Sequence, residues 1–195
     1  MKKSFPDPNS GTSPWARRAF LRAGLVVPAL WASAGALLPT PACADPDDAT
    51  PSVGEGPFFR PRSPERTTLL EPGLIGTPID LEGRVLDTHG RPVPRALLDF
   101  WHADASGRYD TEGFRFRGHQ YAGADGTFRL RTIVPGSYGP PRHYHVKVRA
   151  ERGPALTTQL LFPEDQRNGD RSIDDRLLMA IDDGHARFDF VLDLG

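Results

Sequence analysis

Ala124-Asp125-Gly126-Thr127-Phe128-Arg129-Leu130-Arg131-Thr132-Ile133 is a turn running into a strand. Asp-Gly is turn chemistry. After it, Phe128, Leu130 and Thr132 alternate with Arg129 and Arg131, the two-residue period of a strand that buries one face. The period returns near the end of the chain, where Phe188, Phe190 and Leu192 alternate with Asp189, Val191 and Asp193. Upstream, Leu81–Leu86 and Ala96–His102 flank the turn Asp87–Arg91 and read as a hairpin-like pair. His143–Val148 and Leu156–Phe162 bring the expectation to about six strands. Only Asp174–Ile181 offers a helical turn or two. The economical fold is all-β, an antiparallel sandwich.

Composition agrees. Glycine and proline contribute 20 residues each to a chain of 195, about a fifth against a usual total near ~12 %, which argues against a helical bundle. With 38 % hydrophobic residues the chain can still bury a core. Net charge is -1, and no basic run follows the first 22 residues. Nucleic acid is therefore not an expected partner. One cysteine excludes a disulfide framework and a thiolate metal site.

The first 44 residues read as an export address. Arg17-Arg18 precedes Phe20-Leu21, and the 16 residues from Ala23 to Leu38 carry no charge. That run is too short for a membrane span, which needs about ~20 residues. Ala42-Cys43-Ala44 supplies a small-x-small cleavage site before Asp45. The segment is similar to a twin-arginine signal, which implies a periplasmic or secreted protein with no stable membrane association after cleavage. Acylation at Cys43 is the competing reading, and Thr40 stands where a lipobox wants leucine. Cleavage removes five basic residues and Asp7, leaving an acidic chain of net charge -5 without cysteine. Residues 45–77, rich in Pro, Asp, Thr and Gly, read as a lead-in arm, and residues 78–195 as the sandwich domain.

Metal-ligating side chains gather in two places. In His143-Tyr144-His145 the strand period sends both imidazoles to one face and Tyr144 to the other. Pro135-Gly136-Ser137-Tyr138 is a turn able to swing the Tyr138 phenol back over that face. Tyr109 closes Ser106-Gly107-Arg108-Tyr109, just past the strand ending in Trp101-His102. Taken alone, the histidines read as a surface pair and each tyrosine as a rim residue with a wet hydroxyl.

In sequence order, Gly83-Arg84-Val85, Pro92-Val93-Pro94-Arg95-Ala96, Trp101-His102-Ala103-Asp104, Gly107-Arg108-Tyr109, Phe116-Arg117-Gly118-His119-Gln120, Pro135-Gly136-Ser137-Tyr138 and His143-Tyr144-His145-Val146 resemble the core of intradiol ring-cleavage dioxygenases. Leu156–Leu160 extends the likeness with the family's glutamine-bearing strand. The resemblance implies that Tyr109, Tyr138, His143 and His145 bind one Fe(III). It also implies that Tyr138 is the ligand that dissociates when substrate chelates, that Tyr109 stays bound, and that Gln159 reaches the site. It implies an oxidoreductase that opens a catechol-type ortho-diphenol with O2, between the hydroxyls, to a muconate-type diacid. The donor chemistry agrees: phenolate is a hard anionic oxygen suited to a trivalent ion. Three phenolate or hydroxide anions neutralise Fe(III), which a partly desolvated site tolerates. The rival reading is a transthyretin-like periplasmic binding module without turnover.

Two departures bear on rate and substrate rather than on metal binding. Pro140 stands where many members carry an arginine three residues before the first histidine, and the Tyr138–His143 loop is one residue shorter. Phe58 and Phe59 replace common tyrosines. Arg142, next to His143, points away from the site face if it is already in the strand. His102 and His119 are expected to make structural hydrogen bonds, His119 from a loop, with Tyr121 as a loop anchor. His89 and His185 are expected to be exposed in turns, and the acidic stretch Asp170–Asp175 to be a solvated loop.

Overall fold

The alternation in the sequence builds two packed sheets in the computed structural model, which describes residues 49–166 and 174–195. The expected export segment with Arg17, Arg18 and Cys43, the first residues of the arm, and Asp170–Ile173 of the acidic stretch lie outside the described residues. Strands β1 (Pro78–Asp87), β4 (Thr127–Ile133), β7 (Ala180–Asp182), β8 (His185–Arg187) and β9 (Phe190–Leu192) make one sheet. The other has the order β3 (Arg117–Tyr121), β2 (Leu97–Trp101), β5 (His143–Arg149), β6 (Leu156–Leu161). Short helical turns at Pro163–Gln166 and Asp175–Leu177 follow β6.

The core lies between the sheets. Leu98, Phe100, Tyr144, Val146, Val148 and Leu160 face Leu81, Val85, Phe128, Leu130 and Phe190, all buried. Each large side chain of this kind contributes about 1.5–3 kcal/mol by leaving water. Because β5 spends Tyr144, Val146 and Val148 on the core, His143, His145 and Lys147 fall on the outer face of the four-stranded sheet. Tyr144 points inward as expected and its hydroxyl donates to the Ile133 carbonyl at 2.9 Å.

Three expectations need correction. The pair expected around the turn Asp87–Arg91 does not form: β1 pairs with β4, β8 and β9, and β2 with β3 and β5. The turn itself closes, with Gly90 N–H donating to the Asp87 carbonyl, and pairing goes no further than the isolated Leu86–Pro92 bridge, where Val93 N–H donates to the Val85 carbonyl, before Arg95, at φ +56°, turns the chain away. The chain therefore crosses to the other sheet. The C-terminal strand splits into β8 and β9, both parallel to β1. At the break the Asp189 carboxylate takes the Arg84 amide N–H in place of a ladder carbonyl, at 2.8 Å. The sandwich is accordingly not purely antiparallel. Finally, the helical turns expected over Asp174–Ile181 shrink to Asp175–Leu177, Leu178 makes an isolated bridge to Leu161, and β7 begins at Ala180.

Residues 51–69 run along three sheet edges. Val53 N–H donates to the Thr157 carbonyl on β6 at 2.8 Å. Arg66 N–H donates to the His119 carbonyl on β3 at 2.8 Å, and Leu69 N–H to the Arg131 carbonyl on β4 at 2.8 Å. Between the first two anchors the segment crosses the outer face that carries His143 and His145.

The Asp87 turn makes a stability prediction. Burial works to raise this carboxyl, but the amides of Arg91 and His89 and the Arg91 guanidinium outweigh it and hold it below its ordinary 3.8. A carboxyl that titrates lower in the folded chain contributes above the unfolded value and loses its contribution as the pH falls through the folded one. Asp87→Asn is expected to cost about 1–2 kcal/mol at neutral pH. Urea titrations of both proteins should show that gap closing below pH ~3.8.

Candidate metal centre

Two loops and one strand bring the four expected side chains together. The His143 Nε2 lies 3.1 Å from the His145 Nε2, and the Tyr109 hydroxyl 3.3 Å from the His143 Nε2. The Tyr138 ring stands 5.6 Å from the Tyr109 ring and 6.0 Å from the His143 ring, centroid to centroid. Gln159 is directly opposite His145 in the β5–β6 register and so shares its face.

Protonation follows from the partners. The His143 Nδ1 donates to the Pro141 carbonyl at 2.7 Å, which leaves a lone pair on its Nε2. Burial depresses the His143 imidazole, with the Pro141 bond opposing. Burial, then the neighbouring His143 and Arg117, push His145 down to about 3. Both rings are therefore neutral donors near pH 7. Two Nε2 atoms this close need a proton or a cation between them, and the buried His145 Nδ1 has no hydrogen-bond partner. Burial, then the hydrogen bond with Tyr138, raises the Tyr109 phenol, so it releases its proton only to a cation that takes its place. Tyr138 is 46 % exposed, whereas Tyr109 is half-buried.

Among the described residues no three His, Cys, Asp or Glu side chains form a metal set, so a centre here depends on the phenols. Two neutral imidazoles and two phenols fit a hard trivalent ion, since deprotonation supplies the compensating charge.

Aromatic backing holds the set in place. Trp101, opposite His145 in register, stacks on its ring at 4.8 Å and 3°. Phe58 stacks on Tyr109 at 4.3 Å and 13°. Phe59 meets Trp101 edge-on, under the Lys147 ammonium that pairs with Glu55. Gly56, at φ +72°, brings the backbone to His145: a Cβ there would lie 3.4 Å from its ring.

The remaining expectations divide. His102 is fully enclosed and bonds Ala103 O and Thr132 Oγ1, both at 2.7 Å, and burial lowers it to about 4. It is structural, as expected. His89 and His185 are exposed. His119 makes its structural bond, Nδ1 to the Ser63 carbonyl at 2.8 Å, from strand β3 rather than a loop. Tyr121 ends that strand rather than sitting in a loop, and its ring lies beneath the guanidinium of Arg95 in the β1–β2 connection. Arg142 turns away to Asp165 and Glu164 and over the Phe162 ring, so it does not replace the arginine missing at Pro140.

The family profile described as "Dioxygenase" matches residues 54–142. A solved structure of the dioxygenase domain of a dioxygenase carbohydrate-binding protein fusion from Streptomyces sp. SirexAA-E is 49 % identical. It superposes with TM-score 0.71 over 76 % of this chain and 100 % of that one. Hydroxyquinol 1,2-dioxygenase of Nocardioides simplex is 38 % identical over 100 residues, covering 48 % of this chain and 34 % of that protein. Catechol 1,2-dioxygenase of Acinetobacter baylyi is 29 % identical over 144 residues, covering 58 % and 46 %. This chain belongs to the intradiol dioxygenase family. It spans less than half the length of those last two relatives. Within the family fold, the residues that composition and period did not single out are Trp101 and Arg117. Both stand in stretches that carry the family resemblance, Trp101–Asp104 and Phe116–Gln120, but neither stretch assigns them a role.

Proposed function

We propose that this chain is a non-haem iron(III) dioxygenase that cleaves a catechol-type ring between its two hydroxyl-bearing carbons with O2. The observation that carries the reading is the convergence of Tyr109, Tyr138, His143 and His145 on one outer sheet face. Iron(III) held there would supply a Lewis acid that binds both diphenol oxygens and renders the ring carbons reactive toward O2. The overall reaction balances without a reductant: the two ring carbons give up four electrons and both oxygen atoms enter the diacid.

The chain's own residues do the rest. His143 and His145 remain neutral nitrogen donors, stiffened by Pro141 and Trp101. Tyr138, the exposed phenol, is the base for one substrate proton and the group that moves aside. Tyr109 remains as the fixed anion against Phe58. Gln159 serves as a polar group at the His145 side, and Phe58 and Phe59 limit water. With Pro140 in the family arginine's place and Arg142 engaged elsewhere, an uncharged diphenol is favoured over a carboxylated one.

Purified protein is expected to hold one iron per chain and to absorb visible light strongly, with a shift on anaerobic addition of catechol. Oxygen uptake over catechol, hydroxyquinol and protocatechuate then ranks the substrates. A colourless, iron-free protein from iron-replete cells would mean a transthyretin-like binding module instead. Stoichiometric zinc without oxygen uptake would point to a hydrolase. We propose further that the chain is exported by the twin-arginine route. Replacing Arg17 and Arg18 together by lysine should leave unprocessed protein in the cytoplasm, and processed periplasmic protein from that variant would refute the signal.

A further inference from the structure

The loop between β2 and β3 carries Tyr109, and three guanidiniums hold its carbonyls. Arg60 donates to Thr111 and Gly113 at 3.1 and 2.8 Å. Arg66 donates to Phe114 and to the carbonyl of Arg117, and pairs with Glu71. Arg117 donates through Nε and Nη2 to the Asp110 carbonyl, at 3.2 and 2.8 Å. Asp110 is the residue after Tyr109.

Arg117 differs from the other two. It is 2 % exposed and makes no ion pair among the described residues, and its Nη1 is buried without a partner. The Asp110 carboxylate is turned to the amides of Glu112, Gly113 and Arg115. The Asp99 carboxylate accepts from Ser63 at 2.8 Å. A buried guanidinium without a counter-ion costs several kcal/mol, and a neutral donor would grip a carbonyl at less cost. The register places Arg117 opposite Trp101 and Trp101 opposite His145, so the charge lies in the same row of the same face as the candidate centre.

We propose that Arg117 is the positioning residue for Tyr109: it fixes the chain after Tyr109 through the Asp110 carbonyl and places in the row of the candidate centre the positive charge that the ionised phenol requires. The charge half of this proposal rests on the reading of Tyr109 as a metal ligand, and the grip half does not. Burial opposes the Arg117 charge and Arg60 works with it, while Asp110 first, then Tyr109 and Asp99, favour the charge.

Two measurements on the full chain separate the halves. Amide hydrogen exchange on metal-free protein reads the grip, and iron affinity by chelator competition, with the position of the visible band, reads the charge. Arg117→Met is expected to speed exchange over residues 104–113 at least ~10-fold while β5 and β6 keep their protection. Iron affinity should fall ~10-fold or more and the band should move. Arg117→Lys should recover part of the affinity and none of the protection, because one ammonium keeps the charge but not the fork. A structural role alone would lower the melting temperature and leave affinity and band unchanged, which overturns the charge half. Unchanged exchange in folded Arg117→Met overturns the grip. If Arg117→Met fails to fold, Arg117→Lys and Arg117→Gln carry the same readouts, Gln supplying a neutral donor. A wild-type protein that binds no iron removes the metal-ligand reading and the charge half with it, and exchange still decides the grip.

Discussion

Tyr109→Phe is expected to lose most of its iron and its visible band, whereas Tyr138→Phe should keep both in large part. The difference follows from where each phenol sits. Tyr109 is half-buried, stacked on Phe58 and 3.3 Å from the His143 Nε2. Removing its oxygen leaves a cation without its fixed anion in a place water reaches poorly. Breaking a buried pair costs about 3–5 kcal/mol, which is roughly two to four orders of magnitude in iron affinity. Tyr138 is 46 % exposed, so hydroxide or a buffer anion can take its place, and iron affinity should fall by less than ~10-fold. Turnover should still drop by about 10²-fold because a positioned base is gone. Iron content after dialysis against a weak chelator and visible spectra of both variants decide the assignment. Equal loss in both, or greater loss in Tyr138→Phe, reverses the roles, and no loss in either removes the phenols from the ligand set.

The parts of this site visible in the sequence are those set by a local period. His143 and His145 share a face because β5 alternates, and Tyr138 comes back over that face because the chain leaves β4 at Ile133 and bends at residues 138–140. The strand β3 was not visible. Its core-facing residues are Gly118 and Gln120, and its outer residues Arg117 and His119 are covered by the arm, so no apolar alternation marks it. The partner of β1 was misread because a turn signal fixes where a chain reverses, not which sheet receives it. Pairing with β1 stops at the Leu86–Pro92 bridge, and Leu97–Trp101 takes β3 and β5 as its neighbours instead. The stacking of Phe58 on Tyr109 and of Trp101 on His145 joins residues 51 and 44 positions apart. Local pattern cannot report contacts of that range.

Gly136→Ala is expected to abolish most turnover while leaving the sandwich folded, because it separates the loops that carry the two phenols. A Cβ at Gly136 would lie 2.4 Å from the Ala105 carbonyl oxygen and 2.5 Å from the Gly107 amide nitrogen. The return contact is as close: a Cβ at Gly107, which sits at φ +81°, would lie 2.6 Å from the Ser137 carbonyl oxygen. The obstructing atoms are backbone, so no side chain can rotate out of the way. The Gly136 N–H also donates to the Asp104 carbonyl at 2.8 Å, and that bond must lengthen when the loops part. Overpacking of this kind costs about 1–3 kcal/mol. The atoms nearest each added Cβ belong to the two loops themselves, so the melting temperature should fall by several degrees and the far-UV spectrum should hold. The site is less forgiving. Tyr109 and Tyr138 ride on either side of the crossing with their rings 5.6 Å apart. A displacement of ~1 Å between groups that must act together costs about 10²-fold in rate. Gly54→Ala is the control, since a Cβ there meets nothing within 4 Å, and it should match wild type in melting temperature, iron content and oxygen uptake. If folded Gly136→Ala consumes oxygen at the wild-type rate, the two phenols do not depend on this crossing for their placement.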